Sequence, residues 1–326
     1  AMLKMAHQEQ KPQEEIAELY YDAIKMGVDI KPPDINKSEF DFSIKNNIIY
    51  FGFKDIKGMG KSIKKPISVL KNVKNSHHLK HLIKQYKVTQ NIIKTLIFSG
   101  AFDESLMKNY KYRTELWREI AIYYMLTEKR LEKIDIIMEN ENLDFISAVK
   151  KWREEKGEKL RNETLKNLIE YKIMSPKDEI YKIAEKEEEL LGIPMVYCKT
   201  DKYKKDRDSL SEAKITGEPV VVCISDFMHS KSKNGNFFSM FNIYDNSDKI
   251  KAMYFFEEEN VHKKLNVIYE KYKIWAVCGK MSRSDSFIIN KIYIPYEKRF
   301  IKIFDGKGFH KNLLNKNSEL YDILNS

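Results

Sequence analysis

Apolar residues recur along this chain with two periods, and the change from one to the other falls near residue 214. Ile16, Leu19, Tyr20, Ala23 and Ile24 share one helical face within residues 13–27, the spacing of an amphipathic helix. Gly27 ends that helix and Pro32-Pro33 forbids its resumption. Residues 48–53 read as a short strand, short helices follow to Phe98, and Ser99-Gly100 stops the run. Residues 113–191 are helical in pattern, with Trp117, Ile120 and Tyr124 on one stripe and Phe145, Val149 and Trp152 on another. From Lys214 the period becomes two. Strands are predicted at 219–228, 236–244, 249–256, 273–281 and 286–294, with one helix near 257–271 after the third. Five strands with a helix after the third is the order of an oligonucleotide-binding barrel, the OB-fold. The predicted fold class is α+β multidomain: a mainly helical N-terminal region, then a five-stranded OB-fold β-barrel.

Charge changes this picture more by its location than by its total. The 326 residues carry a formal net charge of +10. Residues 56–102 hold no Asp or Glu but ten lysines: Lys57, Lys61, Lys64, Lys65, Lys71, Lys74, Lys80, Lys84, Lys87 and Lys94. The remainder is balanced, with 48 basic and 48 acidic residues. A solvated lysine face needs no function, but an acid-free stretch of this length points to a polyanion, and nucleic acid is the commonest. The basic residues are 50 Lys and only 8 Arg, which suits point-charge contacts to phosphate and not bidentate reading of bases. No apolar stretch approaches the roughly 20 residues of a bilayer span, so no membrane partner is expected. Cys198, Cys223 and Cys278 lie too far apart in sequence for a disulfide framework or a zinc knuckle. A reducing, cytoplasmic compartment is expected.

Inside the basic window, Ile56-Lys57-Gly58-Met59-Gly60-Lys61-Ser62 is a Gly-x-Gly turn preceded by Phe53 and followed by Ile63 and Ile67. This is the helix-hairpin-helix pattern. Its glycines let backbone close on a phosphate with no side chain in the way. The helix that follows turns its N–H groups and positive dipole end toward that phosphate, and Ser62 is placed to cap it. Lys57, Gly58, Met59, Gly60, Lys61, Ser62, Lys64 and Lys65 are the candidate duplex-binding residues. About five neutralised phosphates predict a slope near −4.5 for log K against log salt. A tight structural turn between helices is the plain alternative.

Several blocks then resemble one family in order and spacing. Gly27-Val28 with Pro32-Pro33-Asp34-Ile35-Asn36-Lys37-Ser38, then Ile49-Tyr50-Phe51-Gly52-Phe53, the hairpin, Gly100-Ala101-Phe102-Asp103 and Glu188-Glu189-Leu190-Leu191-Gly192 are similar to blocks of the bacterial C-family replicative polymerases, the DNA polymerase III alpha subunits. The resemblance covers residues 10–104 and 185–300, with the middle helices only loosely similar. It implies an end of the fingers region at 1–48, a helix-hairpin-helix domain at 49–104 and an OB-fold at 215–300. The residue pattern itself adds a helical scaffold at 105–191, a linker at 192–214, where a lysine- and aspartate-rich run follows Gly192 and Pro194, and a tail at 301–326 with a turn at Gly306-Lys307-Gly308 and one short helix. The resemblance also implies a hairpin that grips primer–template duplex and a barrel that handles single-stranded template.

The departure from the family is large, because its members are several times longer and carry a catalytic palm upstream. Polymerases hold two metal ions on clustered carboxylates. Asp201, Asp206 and Asp208 sit in a lysine-rich segment, and Asp41 lacks carboxylate partners in sequence. The chain alone is therefore expected not to polymerise, with no catalytic residue and no cofactor of its own; Mg2+ belongs to the missing palm, and the catalytic part of the polymerase becomes an expected partner. Two origins stay open. One is a fragment, with Ala1 before Met2 a cloning remnant; the other is a genome, a phage's included, that encodes the polymerase in pieces.

Parity assigns the barrel's faces. Phe241, Ile243, Ile250 and Ala252 point to the core, whereas Phe238, Met240, Asn242, Tyr244 and Lys251 share the outer side of strands two and three. Apolar groups on a polar face form the stacking platform of single-strand binders. Lys231, Lys233 and Asn234 in the first loop and Arg283 in the last complete the candidate single-strand site. Packing of Phe238 under a neighbouring domain is the alternative. His77, His78 and His81 include an i,i+4 pair, but no acid lies near them, so no metal site is assigned. Leu143 to Ile146 lies where the family often carries a sliding-clamp motif, yet it lacks the expected Gln and also reads as the start of an apolar helix. Two rivals to the polymerase-fragment reading remain: a stand-alone nucleic-acid-binding accessory protein, and a replisome scaffold that does not bind DNA.

Overall fold

The computed structural model describes residues 2–6, 10–156, 162–171, 175–203, 209–232, 235, 237–256, 260–296, 299–305 and 308–309. The chain divides into two compact units, residues 1–19 with 28–196 and residues 20–27 with 197–326.

The first unit is mainly helical. It begins with α1 (Met2–Met5) and the first half of α2 (Pro12–Lys25). A small sheet follows from β1 (Ile30–Lys31), β2 (Ser43–Lys45) and β3 (Ile48–Tyr50), with β3 in the middle, parallel to β1 and antiparallel to β2. The chain then passes through a 3-10 turn at Phe53–Asp55 and another at Lys61–Ile63. Next come α3 (Lys64–Leu70), α4 (Ser76–Tyr86), α5 (Gln90–Phe98) and α6 (Asp103–Leu106). Asn75 caps α4 by accepting from the His78 N–H, and Lys87 closes it in the left-handed region. The predicted middle helices are α7 (Arg113–Met125), α8 (Glu128–Glu141), α9 (Phe145–Lys156), α10 (Glu163–Glu170) and α11 (Pro176–Leu191).

Two features lock this unit. Ile122, Ile134, Phe145, Val149, Trp152 and Leu165 form one buried cluster across α7 to α10. Arg113 is 1% exposed. Its guanidinium donates to Asp103 Oδ1 at 2.9 Å, to the Phe98 carbonyl at 3.1 Å and to Glu187, which ties α5, α6, α7 and α11 together. A charge this deeply buried persists only because each face of its fork has an acceptor.

The second unit contains the second half of α2, then α12 (Leu210–Thr216), β4 (Val220–Lys231), β5 (Phe237–Tyr244), β6 (Lys249–Phe256), α13 (Asn260–Lys271), β7 (Ile274–Met281), β8 (Phe287–Tyr296), β9 (Arg299–Asp305) and β10 (Gly308–Phe309). Strand β4 pairs antiparallel with β5, β5 with β6, and β6 runs parallel to β8. Strand β8 pairs antiparallel with β7, which returns to β4. Those five strands thus close a circuit of hydrogen-bonded pairs around Phe241, Ile243, Ala252, Trp275, Val277 and Ile289, with α13 between its third and fourth members.

Two expectations change here. Among the described residues the sheet has seven strands, not five. Strand β8 is long enough to pair with β6 at residues 287–289 and with β9 at 291–296, while β7 pairs with it along 287–293, and β10 adds to β9. Ile301, Ile303 and Phe304 are buried there, so part of the predicted tail is strand. The tail's predicted short helix lies outside the described residues. The segment read as a linker, 192–214, carries structure: a 3-10 turn at Lys199–Lys202 and α12, whose Leu210 and Ala213 join the sheet core. Ser209 and Glu212 form a capping box at its start.

Candidate nucleic-acid interface

The Gly-x-Gly segment folds as a projecting turn on an apolar base. Phe53, Ile56, Met59, Ile63 and Ile67 are all buried. Between them Lys57, Gly58 and Gly60 face solvent. Gly58 has φ +82, a conformation side chains rarely adopt, and a Cβ added at Gly58 or Gly60 meets nothing within 4 Å. The backbone there is open to an approaching group. The Met59 N–H donates to the Ile56 carbonyl at 2.9 Å, the Ile63 N–H to the Gly60 carbonyl at 3.1 Å, and the Lys57 N–H to the Leu190 carbonyl at 2.9 Å. The turn is thereby held both internally and to the end of α11.

Among the predicted hairpin residues, Lys57, Gly58, Gly60, Ser62, Lys64 and Lys65 lie exposed at or just after the turn. Two readings are corrected. Met59 is 7% exposed and packs into the base, because the turn needs an apolar anchor between its glycines. Ser62 does not cap α3: the N-cap is Ile63, in helical conformation and without a side-chain cap bond, because the Lys61–Ile63 turn runs directly into the helix. The Lys61 side chain lies outside what is described.

The acid-free window is not acid-free in space. Lys80 is buried, bonded to Glu119 at 2.9 Å and set over the Phe145 ring at 3.8 Å. Lys71 lies 3.9 Å from Glu39 and Lys84 3.3 Å from Glu128. Lys64 sits over the Phe40 ring at 4.4 Å, keeping its charge available. One acid stands at the foot of the turn. Asp55 is 4% exposed, and burial pushes its carboxyl up to about 7; Lys54 opposes that shift and Asp41 adds to it. Gly52 is required beside it, since a Cβ there falls 2.7 Å from Asp55 Oδ2 and 2.5 Å from the Phe42 nitrogen.

On the second unit, Phe238 and Met240 are half-buried on one side of β5, while Phe241 and Ile243 on the other are core. Phe238 pairs with Phe255, their rings 5.7 Å apart, and Met240 pairs with both Met228 and Met253. Met228 and Phe255 are well exposed, at 56% and 46%. The result is an apolar strip across three strands. Met228, Met253 and Phe255 were missed from sequence, although Lys251, Met253 and Phe255 share the parity that selected Lys251. Met228 was not readable by parity, because a bulge between Ser225 and Met228, with Asp226 at φ +53, shifts the register of β4.

The other predicted members are spread more widely. Asn242 donates to Asp226 at 2.8 Å, and Lys251 is exposed opposite it. Tyr244 is half-buried opposite the buried Cys223. There Cys198 hydrogen-bonds Cys223, which lowers its own thiol against the opposing effect of burial; that end of the outer face is covered. Lys231 ends β4 with its ammonium 4.8 Å from the Phe237 centroid, and Arg283 is exposed in the β7–β8 turn. Lys233 and Asn234 lie outside the described residues. In the region proposed for clamp contact, Phe145 is 3% exposed within the α7–α10 cluster, and Leu143 and Ile146 pack against it. No group of three or more His, Cys, Asp or Glu among the described residues is placed to hold a metal. No described helix is long and apolar enough to cross a membrane.

These positions can be set beside known proteins. Residues 27–111 match the helix-hairpin-helix motif. The helix-hairpin-helix match contains the glycine turn, its apolar base and every lysine of the basic window. Over an alignment of 304 residues that covers 86% of the chain, it is 26% identical to the DNA polymerase III subunit alpha of Aquifex aeolicus (strain VF5). It is 32% identical over 95 residues to that of Bacillus subtilis (strain 168), and 33% identical over 101 residues to that of Deinococcus radiodurans. The chain spans 22% of the length of the Aquifex protein, and the two shorter matches cover 8% and 7% of theirs. The similarity supports a DNA-binding, polymerase-related role.

Proposed function

We propose that this chain is a DNA-binding part of a replicative polymerase of the DNA polymerase III alpha type, holding primer–template duplex at the Gly58–Gly60 turn and single-stranded template on the β4–β5–β6 face. The observation that carries the reading is the turn. Its backbone is open, its apolar residues are buried beneath it, and Lys57, Lys64 and Lys65 are exposed around it. Such a surface meets a phosphate backbone without reading sequence. The second unit is read as an OB-fold, which its closed circuit of five strands and helix α13 support; β9 and β10 extend it. On that reading the Phe238–Phe255 strip stacks bases, with Lys251 and Arg283 near the backbone. The catalytic palm, its Mg2+ and the rest of the polymerase belong to a partner or to another part of a longer chain. Clamp binding through Leu143 to Ile146 is disfavoured, since a linear motif must free its aromatic and Phe145 is core.

Fluorescence anisotropy on duplex, tailed duplex and single strand across salt tests this reading. The expected result is sequence-independent binding to duplex that weakens steeply with salt. No affinity for any of the three at low salt leaves the scaffold role in its place. Primer extension by the chain alone is expected to be undetectable.

A further inference from the structure

Asp55 lies two residues before Lys57, and both of its carboxylate oxygens are sealed from solvent with no hydrogen-bond partner among the described residues. It borders a cavity of about 440 Å3 that it shares with Phe40, Asp41, Lys54, Lys57 and the glycines of the turn. The charged groups facing it are few. The Lys54 ammonium is held by Asp41 Oδ1 at 2.6 Å, which leaves Asp41 as a second anion nearby. From α2, the neutral amide of Gln13 donates to the Asp55 carbonyl at 2.8 Å and not to its carboxylate. Lys57 stands exposed at the rim.

A buried carboxylate without donors is costly when ionised and tolerable when neutral. A phosphate arriving on Gly58–Gly60 brings another negative charge to the same wall, which raises that cost further. We propose that docking of duplex on the turn is coupled to proton uptake at Asp55, so that the grip is tight with Asp55 neutral and loosens as Asp55 ionises; this rests on the duplex-binding reading of the turn. The proton comes from solvent and is released with the duplex. Burial already pushes the carboxyl up to about 7 in the free chain, so the coupling falls near neutral pH. The sign for folding is the same. The folded chain keeps this proton from the ordinary carboxylate range up to about 7, while the unfolded chain releases it. Stability therefore falls as pH rises across that interval and is level above it.

The test is duplex binding by the full chain and by Asp55→Asn, at fixed ionic strength, from about pH 6 to about pH 8.5. For the native chain, Kd is expected to rise with pH above about 7, by at most about tenfold per pH unit for one linked proton. Asp55→Asn is expected to lack that rise and to bind more tightly than the native chain at the alkaline end. Its melting temperature should exceed the native value above neutrality, with no difference in acid. Every other titratable group is common to both proteins, so the difference between the two profiles is the readout. Parallel profiles overturn the proposal alone. Absence of duplex binding by either protein at every pH sinks the duplex reading, and the proposal with it. A measurement without a variant stands beside these: 13C-carboxyl NMR of the native chain should show one aspartate titrating near neutrality. Titration of every aspartate in the ordinary carboxylate range overturns the proposal.

Discussion

The glycine turn of the first unit and the outer strand face of the second are two surfaces suited to the same polymer by opposite chemistry. The turn offers charge and bare backbone. Its apolar residues, Met59 included, are buried beneath it, and Lys57, Lys64 and Lys65 ring the glycines. The strand face offers rings and thioethers, Phe238, Phe255, Met228, Met240 and Met253, with few charges beside them. Duplex DNA hides its bases and presents phosphates, so a charged turn suffices for it. A single strand exposes the faces of its bases, so stacking adds what charge alone does not. Residues 215–300 hold 13 basic against 10 acidic residues, a near balance that a charge-driven binder would not have.

The largest expected effect breaks the comparison at its charged end. Replacing Lys57, Lys64 and Lys65 together with Ala removes three cations without touching the apolar base. The slope of log K against log salt should become shallower by about 2.7, and at 0.1 M salt duplex affinity should fall by roughly two to three decades. Binding of a short single strand should change little. An equal loss on both substrates would mean that the two surfaces do not divide the work.

The next effect is at the apolar end. Phe238→Ala or Phe255→Ala should weaken single-strand binding by about 1–3 kcal/mol each, with duplex affinity and salt slope unchanged. Because the two rings are cross-strand neighbours 5.7 Å apart, their effects should not add. A titration of the double variant against both single variants checks this. Single variants indistinguishable from the native chain would leave the strip as packing surface only.

How much of this was legible in sequence differs between the two surfaces for physical reasons. The turn is local. Its signal, apolar residues at fixed offsets around Gly-x-Gly, sits between residues 53 and 67, and the buried set Phe53, Ile56, Ile63 and Ile67 follows from it. Asp55 was not legible as special, because its isolation depends on Asp41 capturing Lys54 and on the close backbone beside Gly52. The strand face is non-local. Parity along β5 found Phe238 and Met240, but Met228 needed a bulge that no alternation reveals, and β9 needed knowledge that β8 runs on past its pairing with β6. The segment 192–214 was misjudged by composition. Its lysines and aspartates suggested a linker, while Ser209 and Glu212, a capping box at the required spacing, marked a helix.

The smallest expected effect concerns the acid-free window itself, where sequence made ten lysines equal and the structure does not. Lys65 is exposed just beyond the turn with no ion pair among the described residues, whereas Lys84 on α4 lies 3.3 Å from Glu128 of α8. Both side chains of that pair are largely exposed, so the pair itself adds about 0–1 kcal/mol to stability. It does matter to DNA, because a phosphate must displace a carboxylate to reach Lys84. Lys65→Ala should therefore flatten the salt slope by about 0.9, one phosphate's worth, and Lys84→Ala by clearly less. Glu128→Gln supplies the converse: freeing Lys84 should leave duplex affinity unchanged or slightly raised. Equal slopes for Lys65→Ala and Lys84→Ala would mean that the duplex is drawn to the window's summed field and not to the turn. The charged half of the comparison would then describe a patch, with Gly58 and Gly60 only its hinge.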